Sequence, residues 1–241
     1  VNNEVLINTK KDTNIAMIKD FISMVFPATC VSCKDTVNHA EKLICTSCRA
    51  KLPVTDHYLY LENDFKAKFY GKLPVKHAFA YLKYTTPSMV QAMLHQLKYK
   101  GVEEISSMLG YWHGAQLQQC KYMELPDIIT FVPLHKSKLR KRGYNQVQGY
   151  ATAISKTLGI PVQHDILARK LATKTQTKKG RFERWQNVNE IFIAQNKSVI
   201  QDKHILLTDD VVTTGATLEA CGNRLLEAGA RAVSFAAMAT A

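Results

Sequence analysis

The sequence predicts an α/β fold: a mainly parallel sheet with helices on both faces, preceded by a small metal-binding module. Three observations carry that expectation. Apolar, strand-like runs at 75–85, 127–132, 204–208 and 232–239 alternate with stretches of helical periodicity. The run at 204–208 passes through two acids into a threonine–glycine loop and then a helix, the kind of junction where open α/β sheets hold ligands. Near the start, four cysteines form two Cys-x-x-Cys pairs.

The composition narrows the function classes. A hydrophobic fraction of 46% with only 7 Pro and 11 Gly marks an ordered globular chain, not a low-complexity one. The formal charge of +12 favours polyanionic partners: phosphorylated metabolites, nucleic acid or an anionic surface, although it also serves solubility. No run is long enough to span a bilayer, and Lys19 and Asp20 interrupt the nearest leader-like stretch. The expectation is a cytoplasmic protein without membrane insertion, and cysteines arranged for a metal instead of disulfides agree with a reducing compartment.

Residues 1–14 are polar. Ile15, Ile18, Phe21, Ile22 and Val25 then repeat at helical spacing up to Pro27, and few basic residues on the polar face favour a docked helix over a membrane-surface one. Cys30, Cys33, Cys45 and Cys48 follow, the pairs separated by eleven residues. Two such knuckles supply four thiolates to one tetrahedral Zn²⁺, and the metal supplies much of the folding free energy of so short a segment. His39 is read as a bystander, and Cys120 and Cys221 as buried apolar residues in helices. The domains expected are 15–53, helix and zinc module, and 54–241, the α/β domain.

Residues 53–74 read as a connector. Helices are expected at 89–98 and 102–119, and QLKYKG at 96–101 as a basic loop or charged helix end. After the strand at 127–132, Pro133 ends the extended run. The next segment packs Lys136, Lys138, Arg140, Lys141 and Arg142 into seven residues before Gly143, and a helix is expected from 144 to 158. Most basic runs are solvated surface, but this one lies at a strand's carboxyl end, where open α/β sheets bind ligands. Residues 166–170 suggest a short strand. The polar stretch 171–189, containing Gln176, Lys179, Arg181 and Arg184, reads as a lid or as a nucleic-acid arm with Phe182 and Trp185 as stacking platforms. Residues 190–194 are expected to return to the sheet.

The stretch 204–218, HILLTDDVVTTGATL, carries the sharpest chemistry. The strand is expected to end at Thr208 with Asp209 and Asp210 just beyond it. Gly215 lets the backbone approach an anion, Thr213, Thr214 and Thr217 add hydroxyl donors, and the N-terminus of the next helix favours negative charge. The paired acids suit ribose hydroxyls, or a hydrated Mg²⁺ shared with a diphosphate. An ordinary helix cap accounts for such a loop less well, since caps rarely need both acids and TTGAT in this order.

This stretch resembles the phosphoribosyl-pyrophosphate (PRPP) signature of type I phosphoribosyltransferases. The resemblance implies that Asp209 and Asp210 hold the ribose, and carry the catalytic role, while Thr213, Thr214, Gly215, Ala216 and Thr217 hold the 5′-phosphate. The four-cysteine knuckle, VPLHKSKLRKRGYNQ at 132–146 and the segment Thr173–Thr175–Gln176…Arg184…Asn187–Val188 make the likeness narrower. Together they resemble the ComF family of competence-associated, phosphoribosyltransferase-like proteins, over about residues 15–241. By position, His135, Lys136, Arg140, Arg142, Gly143, Asn145 and Gln146 fall on that family's basic loop, and Thr175, Gln176, Arg184, Asn187 and Phe192 on its lid-like segment. Tyr144 stands where Phe is usual, and Asn189–Glu190–Ile191 replaces a small-residue stretch.

Two functions follow as expectations. One is a phosphoribosyltransferase that binds Mg²⁺–PRPP and transfers the ribose to an acceptor the sequence does not name. The other is a non-catalytic single-stranded nucleic-acid-binding protein on the same scaffold. The resemblance implies a part in DNA uptake during natural transformation, with single-stranded DNA and a helicase-like protein as partners.

Overall fold

A computed structural model describes residues 27–37, 43–169 and 191–241. The chain divides into two compact units, Val1–Leu52 and Pro53–Ala241. The expected helix at 15–25, His39 and the lid-like stretch 171–189 lie outside the described residues, so Gln176, Lys179, Arg181 and Arg184 do too. Among the described residues no helix is long and apolar enough to cross a membrane.

In the first unit, Thr29 and Thr36 bridge antiparallel around a tight turn in which Lys34 adopts a positive φ of 71°. Helix α1 (Thr46–Ala50) follows, and Cys45 caps it by accepting a hydrogen bond from the Cys48 amide on its sulfur. These two turns place the four cysteines.

The second unit is built on a four-stranded, all-parallel sheet in the order β1 (Val75–Lys83), β6 (Ala232–Thr240), β5 (His204–Val212), β2 (Ile128–Phe131). β6 reads AVSFAAMAT and is buried along almost its whole length, the continuous apolar run expected of a central parallel strand. The chain just after residue 160 adds a parallel bridge from Val162 to Ile129 at the β2 edge.

Helices cover both faces. On one face, Tyr81 of β1 stacks towards Trp112 and His113 of α4 (Glu104–Leu117). α4 packs closely on α6 (Gln148–Leu158), and glycines permit the approach: a Cβ on Gly110 would lie 2.5 Å from the Tyr150 carbonyl oxygen, one on Gly114 2.8 Å from Thr157. On the other face, Phe69 of the short 64–73 segment meets Phe235 edge-on, and Phe65 meets Phe69 edge-on, beside α8 (Ala216–Glu227). Burying each ring contributes about 1.5–3 kcal/mol.

Several sequence expectations need correction. β5 does not end at Thr208: Asp209 and Asp210 lie within the strand, because Val211 and Val212 continue pairing with Ala239 and Thr240 of β6. The basic run is not a loop but helix α5 (Lys136–Arg142). The His135 ring caps its start by accepting from the Ser137 amide at 3.2 Å, and its three last-turn cations complement the helix dipole. Gly143, in the left-handed region, stops it, so the next helix starts at Gln148 and not at 144. Residues Phe192–Ala194 (β4) do not rejoin the main sheet; they pair antiparallel with β3 (Leu167–Arg169) in a separate two-stranded ribbon. The 53–74 connector holds a 3-10 turn (His57–Leu59) and helix α2 (Asp64–Ala67), capped by Asn63. Cys221 is buried as expected, whereas Cys120 lies beyond the end of α4 and is half-exposed. Helix α3 (Met89–Tyr99) extends the expected 89–98 helix by one residue, so QLKYKG is a charged helix end.

Buried imidazoles give the domain an acid limit. Burial pushes His113 down to about 3 and, with the neighbouring His204, His77 down to about 4. Both values lie below the unfolded imidazole value, so the folded state binds fewer protons. The associated stability is complete above about pH 6.5 and is lost as pH falls through 6.5 towards 4, at about 1.4 kcal/mol per pH unit for each group. Thermal unfolding of the chain should show a midpoint that drops steadily from pH 6.5 to 4. In His113→Gln that slope should be shallower by about one proton; an unchanged slope would remove His113 from the account.

Candidate functional site

The site gathers at the carboxyl end of β5. Consecutive residues of a strand point to opposite faces, so Asp209 continues the side of Ile205 and Leu207, and Asp210 that of Leu206 and Thr208. Asp210 is only 8% exposed. Its Oδ2 accepts from Lys98 Nζ at 2.8 Å and from Gln146 Nε2 at 2.7 Å. Lys98 comes from the last turn of α3. Gln146 is held by its own carbonyl, which accepts from Ser106 Oγ at 2.5 Å, and by Arg142, whose Nη1 donates to Gln146 Oε1 at 2.5 Å. Asn145 anchors the same turn by donating to the Val132 carbonyl at 3.1 Å.

Asp209 is treated differently. It is partly exposed, and its Oδ1 accepts from the Asp210 amide at 2.8 Å. Burial of the carboxyl, and secondarily the charge of Asp210, raise it to about 8, far above the ordinary range. A group so shifted gains from any cation or hydroxyl donor that approaches it.

Asp209 also forms the lip of a small cup lined by residues 211–218. The hydroxyl-bearing residues Thr213, Thr214 and Thr217 are exposed there, and the twelve-residue helix α8 begins at Ala216. Its first amides lack intrahelical partners and, with the dipole, make the cup a natural seat for an anion. Gly215 has φ +83°, and a Cβ on it would lie 2.7 Å from the Phe69 ring. The turn therefore excludes side chains twice over, by backbone conformation and by the ring beneath it. Lys72 donates to the Thr214 carbonyl at 3.4 Å and lies 4.0 Å from Glu219 in the first turn of α8.

Of the basic residues singled out, Arg142 alone is tied to the acids, through Gln146. Lys136 and Arg140 are exposed on α5 and, among the described residues, make no ion pair. His135 is committed to its capping role, with Ser137 Oγ 2.6 Å from the ring. Sequence reasoning missed Lys98, Gln146 as a direct acid partner, and the Phe69–Lys72 support under the loop. Lys98 had one signal: it follows Leu94 and Leu97 of a helix whose apolar face is buried, which places a cation at the rim of the sheet.

In the first unit, the sulfurs of Cys30, Cys33, Cys45 and Cys48 all lie within 4.8 Å of one another, with Cys33 and Cys45 at 3.8 Å. A tetrahedral metal–thiolate site with bonds near 2.3 Å has sulfur–sulfur edges of about 3.8 Å, so the donor set fits a metal such as zinc. Burial raises the Cys30 thiol, but the amides of Cys45, Cys33 and Ser32 outweigh it and bring the group down to about 6. Cys33 and Cys45 are pushed up, with neighbouring sulfurs among the causes. Four thiols so placed compete for protons, which a cation would displace.

Residues 149–241 match the phosphoribosyl transferase domain family. The chain is 25% identical over 229 residues to Competence protein F of Haemophilus influenzae, covering 90% of this chain and 98% of that protein. It is 31% identical over 144 residues to the DNA utilization protein YhgH of Escherichia coli K12, covering 58% of this chain and 63% of YhgH. Over 146 residues it is 30% identical to Competence protein ComFC of Bacillus subtilis, covering 61% of this chain and 57% of that protein. It thus spans less than two thirds of the latter two.

The stacking of Gly215 on Phe69 is open to a double-mutant test. Gly215→Ala should cost about 1–2 kcal/mol from the left-handed backbone alone, with the ring contact adding to it. In a Phe69→Leu background the same change should cost clearly less, read as non-additive shifts in denaturant midpoint. Strict additivity would mean that the ring does not constrain the loop.

Proposed function

The chain belongs to the ComF family and has its phosphoribosyltransferase-like fold, and from that premise we propose that the 209–217 segment binds Mg²⁺–PRPP. The observation that supports this most is the placement of a partly exposed carboxylate, Asp209, on the lip of the anion cup at 211–218. In this reading Thr213, Thr214, Gly215, Ala216 and Thr217 take the 5′-phosphate through backbone amides and hydroxyls. Asp209 takes ribose hydroxyls from the open side. Asp210, clasped by Lys98 and Gln146, shapes the floor and fixes Arg142 for the pyrophosphate, with Arg140 in the same last turn of α5 and His135 and Lys136 at its start. Magnesium, when bound, neutralises the diphosphate, and Asp209 is the carboxylate free to share it. The protein's contribution to ribose transfer is to orient the sugar and stabilise charge on the departing pyrophosphate. The acceptor is not specified by these residues.

The zinc ion belongs on Cys30, Cys33, Cys45 and Cys48 as a structural metal. The names of the relatives concern competence and DNA utilization, and we extend that role to this chain: a part in DNA uptake on the cytoplasmic side, beside a helicase-like partner. A second reading, single-stranded nucleic-acid binding without catalysis, is favoured by the exposed cations Lys136, Lys138, Arg140 and Lys141 along α5.

Titration calorimetry of Mg²⁺–PRPP into the zinc-loaded protein should give saturable heat, and Asp209→Asn should weaken binding by tenfold or more. Equal affinity in the variant, or no heat with wild type, would leave the signature without a ligand. Elemental analysis should find one zinc per chain, falling in Cys33→Ser. A strong chelator should lower the unfolding midpoint of the wild type and leave that of the variant nearly unchanged.

A further inference from the structure

The last turn of α3 and helix α5 face each other across an open cleft of about 340 Å³, walled by Lys98, Tyr99, Lys138, Lys141, Arg142 and Tyr144. The wall carries four cations and no carboxylate. Two of the cations are engaged, Lys98 with Asp210 and Arg142 with Gln146. The other two, Lys138 and Lys141, are exposed and make no ion pair among the described residues. Two aromatic rings stand beside them. Tyr144 is held by its hydroxyl, which donates to the Leu97 carbonyl, so its ring is a fixed surface. Tyr99 is 62% exposed, with the Arg142 guanidinium 5.5 Å from its centroid.

Uncommitted cations hold phosphate oxygens, and exposed tyrosine rings hold planar rings through stacking. The volume falls at the lower end of the range for small-ligand sites. We propose that this cleft, distinct from the 213–217 cup but sharing Arg142 with the pyrophosphate position proposed above, is an anion site that binds a nucleotide unit. Lys138 and Lys141 take its phosphate, and Tyr99 and Tyr144 its base. The assignment does not depend on PRPP binding; it deepens the second reading above by naming a site for it. A free mononucleotide and one residue of a single strand present the same chemistry to these side chains.

The test is calorimetry on the full zinc-loaded chain at low salt, without PRPP, using AMP, a short oligothymidylate and inorganic phosphate as probes. Tyr99→Ala should weaken AMP or oligonucleotide binding about tenfold, the scale of one lost base stack, and Lys138→Glu/Lys141→Glu should abolish it. Tyr99, Lys138 and Lys141 are exposed, and an unchanged unfolding midpoint verifies that each variant folds. Tighter binding of the oligonucleotide than of AMP would identify a strand as the source, and comparable binding a free nucleotide; either result supports the site. Phosphate binding as tightly as AMP, or affinity untouched by Tyr99→Ala, would overturn it. If oligonucleotide binding survives every cleft variant and is lost in Lys136→Glu/Arg140→Glu, the cleft assignment falls while nucleic-acid binding by the protein stands.

Discussion

A carboxylate removed from water must be met by charge or hydrogen bonds, or it costs several kcal/mol. Asp210, near the carboxyl end of the inner strand β5 and only 8% exposed, sets that requirement for this domain. Two donors meet it, Lys98 from the end of α3 and Gln146 from the turn after α5. Neither segment neighbours β5 in sequence. The carboxylate therefore fixes where both must come down on the sheet, and with them the basic helix and the cleft between α3 and α5. Asn145, bonded to the Val132 carbonyl, and Ser106, bonded to that of Gln146, close the same turn from the β2 and α4 sides.

Strand alternation then divides the two acids by role. A loop would have let Asp209 and Asp210 converge on one ligand. Within a strand they serve opposite faces: Asp210 is consumed by the architecture, and Asp209 is left with a raised proton affinity at the mouth of the cup. The chemistry available at the site is asymmetric for that reason. One acid is left partly open beside the cup, and the other holds Gln146, and through it Arg142, on the opposite face.

Much of the frame was legible in the chain. The four main strands announce themselves as apolar runs, α3 and α4 by periodicity, and the cysteine cluster by spacing alone. Most of the failures rest on contacts distant in sequence, and one on local capping. Two adjacent acids look like the end of a strand until Lys98, Gln146 and the β6 ladder are present to hold them in it. Five cations in seven residues look like a loop until the His135 cap and the Gly143 stop are seen. Residues 192–194 looked like a sheet strand because apolar periodicity does not say which sheet a strand joins; pairing with β3 decides it.

The 53–74 connector was the least legible, and it shows how a binding loop gains its rigidity. A glycine in a phosphate-binding turn is usually explained by the ligand's need for close approach. Here the protein itself already demands it, because Phe69 occupies the space a side chain would take. Phe69 in turn is fixed by Phe65 and Phe235, so the turn rests on the central strand through three rings. Lys72 holds the Thr214 carbonyl from the same segment. The cup is thus shaped by the fold itself, and the entropy of ordering it is met by the hydrophobic burial of residues beneath it.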